Sequence, residues 1–238
     1  MIDLHSHVLP GLDDGAEDEA AALAMCRMAV EDGITALVAT PHLYGGIGVA
    51  DPGVIAGAAK RLRARLTEEK IDLDLRFAGE MPLMENAVEL YRSGSWPAYD
   101  AQRKYVLLEM PSIRDGLDIL RQMIFRLRLE GTTPILAHPE RLDLLDEPAA
   151  VEGLRTQGAL LQITATCLFE PGSRARARAV EWLRRGWVHV VASDAHDPVR
   201  RPPRLAPARR WLEENFGLQV ADDLTGGNPL KILRGEPV

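Results

Sequence analysis

The sequence contains little cysteine, since Cys26 and Cys167 are the only two thiols among 238 residues. So few cysteines exclude a small disulfide-stabilised scaffold of the kind found in secreted proteins. No basic segment followed by an apolar leader opens the sequence. Its apolar runs are short, and none approaches the ~20 residues that a membrane span needs. We therefore expect a cytoplasmic protein without a membrane span.

Positive charge is also scarce, because 28 lysines and arginines face 35 aspartates and glutamates, which leaves a formal net charge of -7. Nucleic-acid backbones bind to basic surfaces, so this charge argues against non-specific nucleic-acid binding. An anionic substrate would need a local positive site.

Linkers and low-complexity segments are missing as well, whereas 46% of the residues are hydrophobic, enough for a sizeable core. Short, largely apolar runs recur along the chain and are typical of strands buried on both faces. Seven strands are predicted, at residues 2–4, 34–39, 73–78, 105–108, 134–137, 159–163 and 187–192. Because helical segments alternate with them, we expect an α/β protein in which residues 1–238 form one domain, a (β/α)7 TIM-like barrel.

The helices between these strands are predicted from caps and apolar periodicity. They cover residues 17–32, 51–69, about 83–91, 115–131 after an Asp115 cap, 148–157, a segment starting at Ser173, and 207–216, with a final turn capped by Asn228. Cys26 falls on the apolar face of the first helix and is predicted to be a core residue. The glycine-rich segment at residues 43–48 is predicted to be a mobile loop at the rim of the barrel.

Residue types that bind metal ions follow six of the seven predicted strands. They are His5 with His7, His42, Glu80, Glu109, His138, and Asp194 with His196, and Asp14 lies in the first loop. Because the carboxyl ends of barrel strands converge at one face, we expect these residues to be neighbours. In an extended segment, residues i and i+2 point the same way, so His5 and His7 can reach one cation. The sixth histidine, His189, lies inside a strand and is predicted to be structural.

Each of these nine residues has an ordinary alternative role as a helix cap, a surface acid or a core histidine, so the metal hypothesis depends on all nine meeting at one rim. Five imidazoles and four carboxylates without cysteine suit Mn, Fe or Zn. Nine candidates exceed the needs of one ion, and two or three ions are expected. Three divalent ions would leave an excess of roughly +2 over the four carboxylates, which attracts a dianion.

Two arginines could bind that dianion. Arg141 follows His138 by three residues, and Arg201 follows His196 by five. A guanidinium forks onto phosphate oxygens, although Arg201 lies in an arginine-rich segment whose other members are predicted to be solvated. The hypothesis is metal-assisted hydrolysis, in which a water shared between ions, with its pKa lowered from ~15.7 towards ~7, attacks phosphorus while the metals and the arginines hold the oxygens.

A cysteine-dependent phosphatase is the competing chemistry. Cys167 is followed by Arg174 with six intervening residues, whereas the phosphate-binding loop of those enzymes has five. Only Gly172 in that segment could help to cradle a phosphate. Cys167 is therefore predicted to be a packing residue.

The metal-type residues lie in motifs that resemble the polymerase and histidinol phosphatase (PHP) superfamily. More narrowly they resemble the bacterial manganese-dependent protein-tyrosine phosphatases of capsular and exopolysaccharide loci, the CpsB/YwqE type. The motifs are Asp3-Leu4-His5-Ser6-His7, Leu9-Pro10-Gly11-Leu12-Asp13-Asp14-Gly15, Thr40-Pro41-His42, Gly79-Glu80, Leu108-Glu109, Leu136-Ala137-His138-Pro139-Glu140-Arg141 and Ala192-Ser193-Asp194-Ala195-His196. The resemblance implies a distorted seven-stranded barrel, Mn²⁺ as the metal and a trinuclear site.

By that resemblance three sets of ligands each hold one ion. They are His5, His7, Glu80 and Asp194; Glu80, Glu109 and His138; and Asp14, His42 and His196. The resemblance also implies that Arg141 and Arg201 bind the phosphoryl group, and that the substrate is a phosphotyrosine tail of a bacterial tyrosine kinase controlling polysaccharide synthesis. One departure is the apolar, glycine-rich segment at residues 43–48, where the family has polar residues.

Two other functions stay open. One is a small-molecule phosphomonoesterase of the same superfamily, similar to histidinol phosphatase. The other is a non-enzymatic metal-binding partner of a kinase. The sequence carries no signal for an oligomeric state.

Overall fold

Every paired strand in the structure runs parallel to its neighbours, as expected for an α/β protein. The computed structural model describes residues 1–42, 51–84, 86–110 and 116–238, so the predictions for the segment at residues 43–48 and the Asp115 cap lie outside it. One sheet has the order β1 (Ile2–Ser6), β2 (Ala36–Ala39), β3 (Asp74–Phe77). The other has the order β4 (Glu80–Pro82), β5 (Tyr105–Glu109), β6 (Thr133–Ala137), β7 (Leu160–Thr164), β8 (Val190–Ala192).

Helices lie between most of these strands and follow the last one. They are α1 (Glu19–Glu31), α2 (Pro52–Glu68), α3 (Ala87–Arg92), α4 (Gly116–Leu129), α5 (Pro148–Thr156), α6 (Thr166–Phe169), α7 (Arg174–Arg184), α8 (Ala206–Phe216), α9 (Leu218–Asp222) and α10 (Asn228–Arg234). Asp18 and Ser173 cap α1 and α7, since their side chains accept from the backbone N–H of Ala21 and Arg176. Within the described ranges, no helix combines the length and the apolar character needed to cross a membrane.

The seven-stranded barrel is not confirmed in that form, because the described strands number eight and belong to two sheets. The predicted third strand is interrupted, since β3 pairs with β2, whereas β4 begins at Glu80 and pairs with β5. Isolated parallel bridges between Ser6 and Ala195 and between His42 and Glu80 connect the two sheets at both seams.

Three further boundaries differ from the sequence predictions. β1 continues through His5 to Ser6, because the Thr40 N–H donates to the Ser6 carbonyl at 2.8 Å and extends the pairing with β2. The last strand is shorter than predicted and begins at Val190. The predicted final turn at Asn228 is the helix α10, which a π-helical turn at Asp223–Gly227 joins to α9.

Both cysteines lie in the hydrophobic core as predicted. Cys26 is fully buried on α1, and Cys167 is buried on α6. Burial raises the pKa of the Cys26 thiol to about 12. Burial and the nearby charge of Glu140 also raise the pKa of Cys167, which opposes the thiolate that a cysteine-dependent phosphatase needs.

His189 lies just before β8 rather than inside a strand as predicted, and its contacts are structural. Its backbone N–H donates to the Leu161 carbonyl at 3.0 Å, and its ring Nδ1 accepts from the Leu161 N–H at 3.1 Å. Burial, followed by the positive charge of Arg155, lowers the pKa of His189 to about 4. The neutral ring therefore holds β7 and the start of β8 together.

We expect this neutral ring to make stability depend on pH. The His189 ring becomes protonated near pH 6.5 in the unfolded chain but only near pH 4 in the folded chain. Its contribution to the free energy of unfolding is therefore complete above pH 6.5 and is lost as the pH falls towards 4. The free energy of unfolding is expected to fall by up to about 3 kcal/mol. Urea unfolding at pH 7 and pH 4.5 measures it, with His189→Asn as the reference because asparagine keeps an acceptor and does not titrate. Equal losses in both proteins would contradict this role.

Candidate metal centre

All nine residues predicted as metal ligands lie together, and all but Glu80, which begins β4, lie at or beyond the carboxyl ends of strands. They form four overlapping groups, and within each group the candidate ligand atoms lie within 4.8 Å of one another. The groups are His7, Asp14, His42 and His196; His5, Glu80 and His138; His5, His7 and Asp194; and His42, Glu80 and Glu109. The topology explains the convergence, because parallel strands end at one face of their sheets.

Glu80 lies at the centre of the cluster and is fully buried. Its Oε2 is 3.2 Å from His5 Nε2, 3.3 Å from His7 Nε2 and 3.3 Å from His42 Nδ1, and its Oε1 is 3.4 Å from His138 Nε2. Among the described residues, neither carboxylate oxygen has a hydrogen-bond partner. A buried carboxylate without donors, surrounded by imidazole nitrogens, is the arrangement that a bound cation stabilises. The donor set therefore fits divalent metal ions.

Asp194 connects this cluster to the two arginines. Its Oδ1 is 3.3 Å from His5 Nε2 and 3.6 Å from His7 Nε2, and it has no hydrogen-bond partner. Its Oδ2 forms an ion pair with Arg141 at 2.7 Å and accepts a hydrogen bond from Arg201 at 2.5 Å. The two guanidiniums therefore lie beside the candidate metal ligands, and each is about 40% exposed, at 39% and 41%.

Asp14 and Glu109 occupy the more exposed edge of the cluster. Asp14 Oδ1 is 3.7 Å from His42 Nε2 and 3.5 Å from His196 Nε2. Glu109 Oε2 is 3.6 Å from His42 Nδ1, and its Oε1 is 4.0 Å from His138 Nε2. This edge is where an incoming molecule can reach the cluster.

The groups in the structure overlap more than the three sets implied by the resemblance. His138 is grouped with His5 and Glu80, whereas Glu109 is grouped with His42 and Glu80. His7 joins the set of Asp14, His42 and His196, and the rings of His7 and His196 lie 4.0 Å apart. The cause is geometric, since Glu80 lies at the centre of the cluster and His7 lies between two of the sets.

The backbone around the cluster is unusual at three residues. His138 and Asp194 have left-handed φ angles of 35° and 53°. Such angles are uncommon for residues other than glycine and cluster at functional sites. Gly15 packs against His7 so closely that a Cβ atom would lie 2.0 Å from the His7 carbonyl oxygen. Any larger residue at position 15 would displace His7.

Two residues outside the predicted set orient the imidazoles. Asp13 Oδ2 accepts from His7 Nδ1 at 2.7 Å and from the His42 N–H at 3.1 Å. Gln162 Oε1 lies 2.8 Å from His5 Nδ1. With Nδ1 as the donor, Nε2 of each ring is left free as a ligand. For Asp13 the signal was its place in the Asp13-Asp14-Gly15 turn, whereas Gln162 in mid-strand had no signal.

The charges in the cluster shift several pKa values. Burial alone would lower the pKa of His7, but its hydrogen bond to Asp13 and the adjacent Glu80 carboxylate outweigh burial and raise that pKa to about 10. Burial alone would raise the pKa of Glu80, but the charge of His5 and the close contacts with the other imidazoles lower it well below its usual value. Burial and the charge of His7 lower the pKa of His196 to about 4. Protons therefore compete with cations for this cluster.

Asp13→Asn should weaken metal binding by about 10- to 100-fold, because an amide no longer holds the His7 ring as a carboxylate does. Titration with Mn²⁺ against a chelating dye measures the affinity. Asp18→Asn is the matched control, since Asp18 caps α1 through the Ala21 N–H. Equal affinities for Asp13→Asn and Asp18→Asn would show that Asp13 does not orient a ligand.

The fold and the site together define an α/β protein with a candidate polynuclear metal centre. Its parallel sheets carry a buried cluster of histidines and carboxylates, and two arginines flank that cluster. The chain belongs to the CpsB/CapC family of capsular polysaccharide synthesis, whose sequence model matches residues 1–234.

Individual relatives match over the whole chain. The tyrosine-protein phosphatase YwqE of Bacillus subtilis is 34% identical, with 100% of this chain and 93% of the relative covered. The tyrosine-protein phosphatase CpsB of Streptococcus pneumoniae is 29% identical, with 98% of each chain covered. A crystal structure from work on these two proteins, described as unique metal-dependent tyrosine phosphatases, matches with a TM-score of 0.89 and 32% identity over 100% of this chain and 96% of that one.

Proposed function

We propose that the protein is a metal-dependent protein-tyrosine phosphatase that hydrolyses phosphotyrosine. The observation that carries the proposal is the meeting of nine candidate ligands with two arginines that share Asp194. The arginines provide the positive charge that a phosphate dianion requires. Relatives that match the whole chain are named tyrosine-protein phosphatases, which supports phosphotyrosine as the substrate.

The nine residues would hold two or three divalent ions, and the resemblance favours Mn²⁺ over Fe or Zn. When bound, such ions act as Lewis acids towards phosphoryl oxygens and acidify water. The rest of the work falls to the chain itself. Asp13 and Gln162 hold His7 and His5 in fixed orientations through hydrogen bonds of 2.7 Å and 2.8 Å. This rigidity keeps the ligand atoms in place without further reorganisation.

Arg141 and Arg201 would bind the phosphoryl oxygens. Arg141 is positioned by Thr164, whose hydroxyl accepts from its guanidinium at 2.9 Å, as well as by Asp194. Arg201 is positioned by its ion pair with Asp194, and its carbonyl accepts from the His196 N–H at 2.9 Å. Two guanidiniums held in advance orient the phosphoryl group and stabilise charge that builds up during transfer.

The physiological substrate would be the phosphorylated tail of a bacterial tyrosine kinase that controls capsular or exopolysaccharide synthesis. The description of the family as one of capsular polysaccharide synthesis supports this role. Two buried free cysteines support a cytoplasmic location.

We also infer that residues 1–238 are one domain and that the two sheets form the distorted seven-stranded barrel, with β3 and β4 as one interrupted strand. The two isolated bridges between the sheets support that inference.

The specificity constants for a phosphotyrosine peptide and for histidinol phosphate test the proposal. We expect the metal-loaded protein to prefer the peptide, because the arginines and the acidic edge of the cluster are open to solvent. A preference for histidinol phosphate would instead identify a small-molecule phosphomonoesterase.

The assay needs a metal control. Hydrolysis of p-nitrophenyl phosphate should depend on added Mn²⁺ and stop with a chelator. A protein that binds Mn²⁺ but hydrolyses none of the three esters would be the non-enzymatic kinase partner.

A further inference from the structure

A second polar cleft lies at the opposite end of the strands from the metal cluster. It has a volume of about 310 Å³ and includes residues at the amino ends of β5 to β8. Its polar wall consists of Tyr105, Arg128, Thr133, Arg155 and His189, Pro237 and Val238 also line it, and we call it the basal cleft. β7 separates the two sites, since Leu160 lines the basal cleft whereas Thr164 contacts Arg141. Four residue steps of a strand span roughly 13 Å.

Arg155 brings to this cleft a cationic group with one unsatisfied donor. Its Nε is buried and has no hydrogen-bond partner, and no carboxylate in the described part of the chain forms an ion pair with it. Its guanidinium carbon lies 5.3 Å from the ring centre of Trp187, which holds the side chain in place. Buried guanidinium N–H groups are normally hydrogen-bonded, so the orphaned Nε indicates a missing acceptor.

Arg128 is a second cation on the same wall. It donates to the Thr133 hydroxyl, and among the described residues no carboxylate pairs with it. Its side chain lies over Gly158, where a Cβ atom would approach Arg128 Nε to 2.7 Å. Gly158 also has a left-handed φ of 94°. The glycine therefore leaves the room that Arg128 occupies beside the cleft.

His189 adds a neutral donor. Because its Nδ1 accepts from the Leu161 N–H, the proton of the neutral ring is on Nε2. Two guanidiniums and an imidazole thus line one cleft, and among the described residues no carboxylate, that of the Val238 terminus included, is in ion-pair contact with either guanidinium. Acceptor-only ligands with several oxygens match such a wall.

We propose that the basal cleft is a binding site for a small tetrahedral oxyanion, with inorganic phosphate as its simplest ligand. Arg155 and Arg128 supply the charge, and His189 donates a hydrogen bond. The site is separate from the phosphate-binding arginines of the metal centre and does not depend on the proposed phosphatase function.

The test uses the metal-loaded protein with diamagnetic Zn²⁺ in the metal centre. Inorganic phosphate is titrated against chloride at constant ionic strength, and the ring resonance of His189, assigned with His189→Asn, is followed by NMR. We expect a saturable shift of that resonance. Arg128→Gln with Arg155→Gln should weaken the apparent Kd by about tenfold or more, because two charge-assisted contacts are lost.

Arg185→Gln is the matched control, because Arg185 stacks on the same Trp187 ring at 4.9 Å and pairs with Glu181 but does not line the cleft. Its Kd should stay within about twofold of the parent protein. Arg141→Gln with Arg201→Gln should leave the His189 response intact. If the double variant at the basal cleft does not fold, Arg128→Gln alone should still weaken binding. A resonance that does not respond, or that responds equally after loss of Arg128 and Arg155, overturns the proposal.

Discussion

Replacing Glu80 with glutamine should remove most of the bound metal and lower turnover of a phosphotyrosine peptide by about 10³-fold or more. Glu80 lies within 3.4 Å of nitrogens from four imidazoles, and it belongs to two of the four ligand groups. An amide carries no negative charge, so it weakens each of these groups at once. Elemental analysis after dialysis and the rate of peptide hydrolysis measure the two effects.

Glu140→Gln is the matched control for metal content. Glu140 is also fully buried, but its Oε1 accepts from the Thr164 N–H at 2.9 Å and it belongs to no ligand group among the described residues. The same substitution at an equally buried acid should leave the bound metal unchanged. If both variants lost metal equally, burial of a glutamine rather than loss of a ligand would be the cause.

Arg141→Ala should keep its metal but lower the specificity constant for a phosphotyrosine peptide by about 10²- to 10³-fold. Arg141 contacts Asp194 and Thr164, not an imidazole, so its loss leaves every ligand group intact. What is lost is a preorganised donor to the phosphoryl oxygens. Steady-state kinetics on protein of measured metal content checks both parts of the expectation.

Arg200→Ala controls for the loss of one arginine at this rim. The Arg200 side chain is 88% exposed and pairs only loosely with Asp197, at 3.7 Å. It should therefore change the specificity constant little. Unaltered turnover in Arg141→Ala would rule out phosphate binding by Arg141, and loss of metal would assign Arg141 a structural role.

The convergence of the candidate metal ligands was predictable because strand ends are a topological property. Short apolar runs typical of buried strands lead to His42, Glu109 and His138. The carboxyl ends of parallel strands lie at one face, so these residues are expected to be neighbours. No contact between these residues had to be known. A second pattern, helical periodicity, was enough to predict the packing role of Cys26.

The details that depend on three-dimensional contacts were not predictable. The break between β3 and β4 follows from Glu80 pairing with β5 and bridging His42, which are interactions between distant segments. The Asp13 carboxylate orients His7 only because the turn folds back on the strand. Gln162 in mid-strand reads as an ordinary polar residue until His5 is placed opposite it. Single-sequence patterns contain none of these distances.

The two oxygens of Asp194 serve different neighbours, since one faces imidazoles and the other holds both guanidiniums. A phosphate that draws the guanidiniums away leaves more negative charge for cations, and cations that draw on Asp194 free the guanidiniums for phosphate. If the site binds metal ions and phosphate as proposed, the affinities for the two ligands would be reciprocally linked through this one carboxylate. Phosphate released by the reaction would then raise the affinity of the protein for its metal ions. Turnover and metal retention would be coupled.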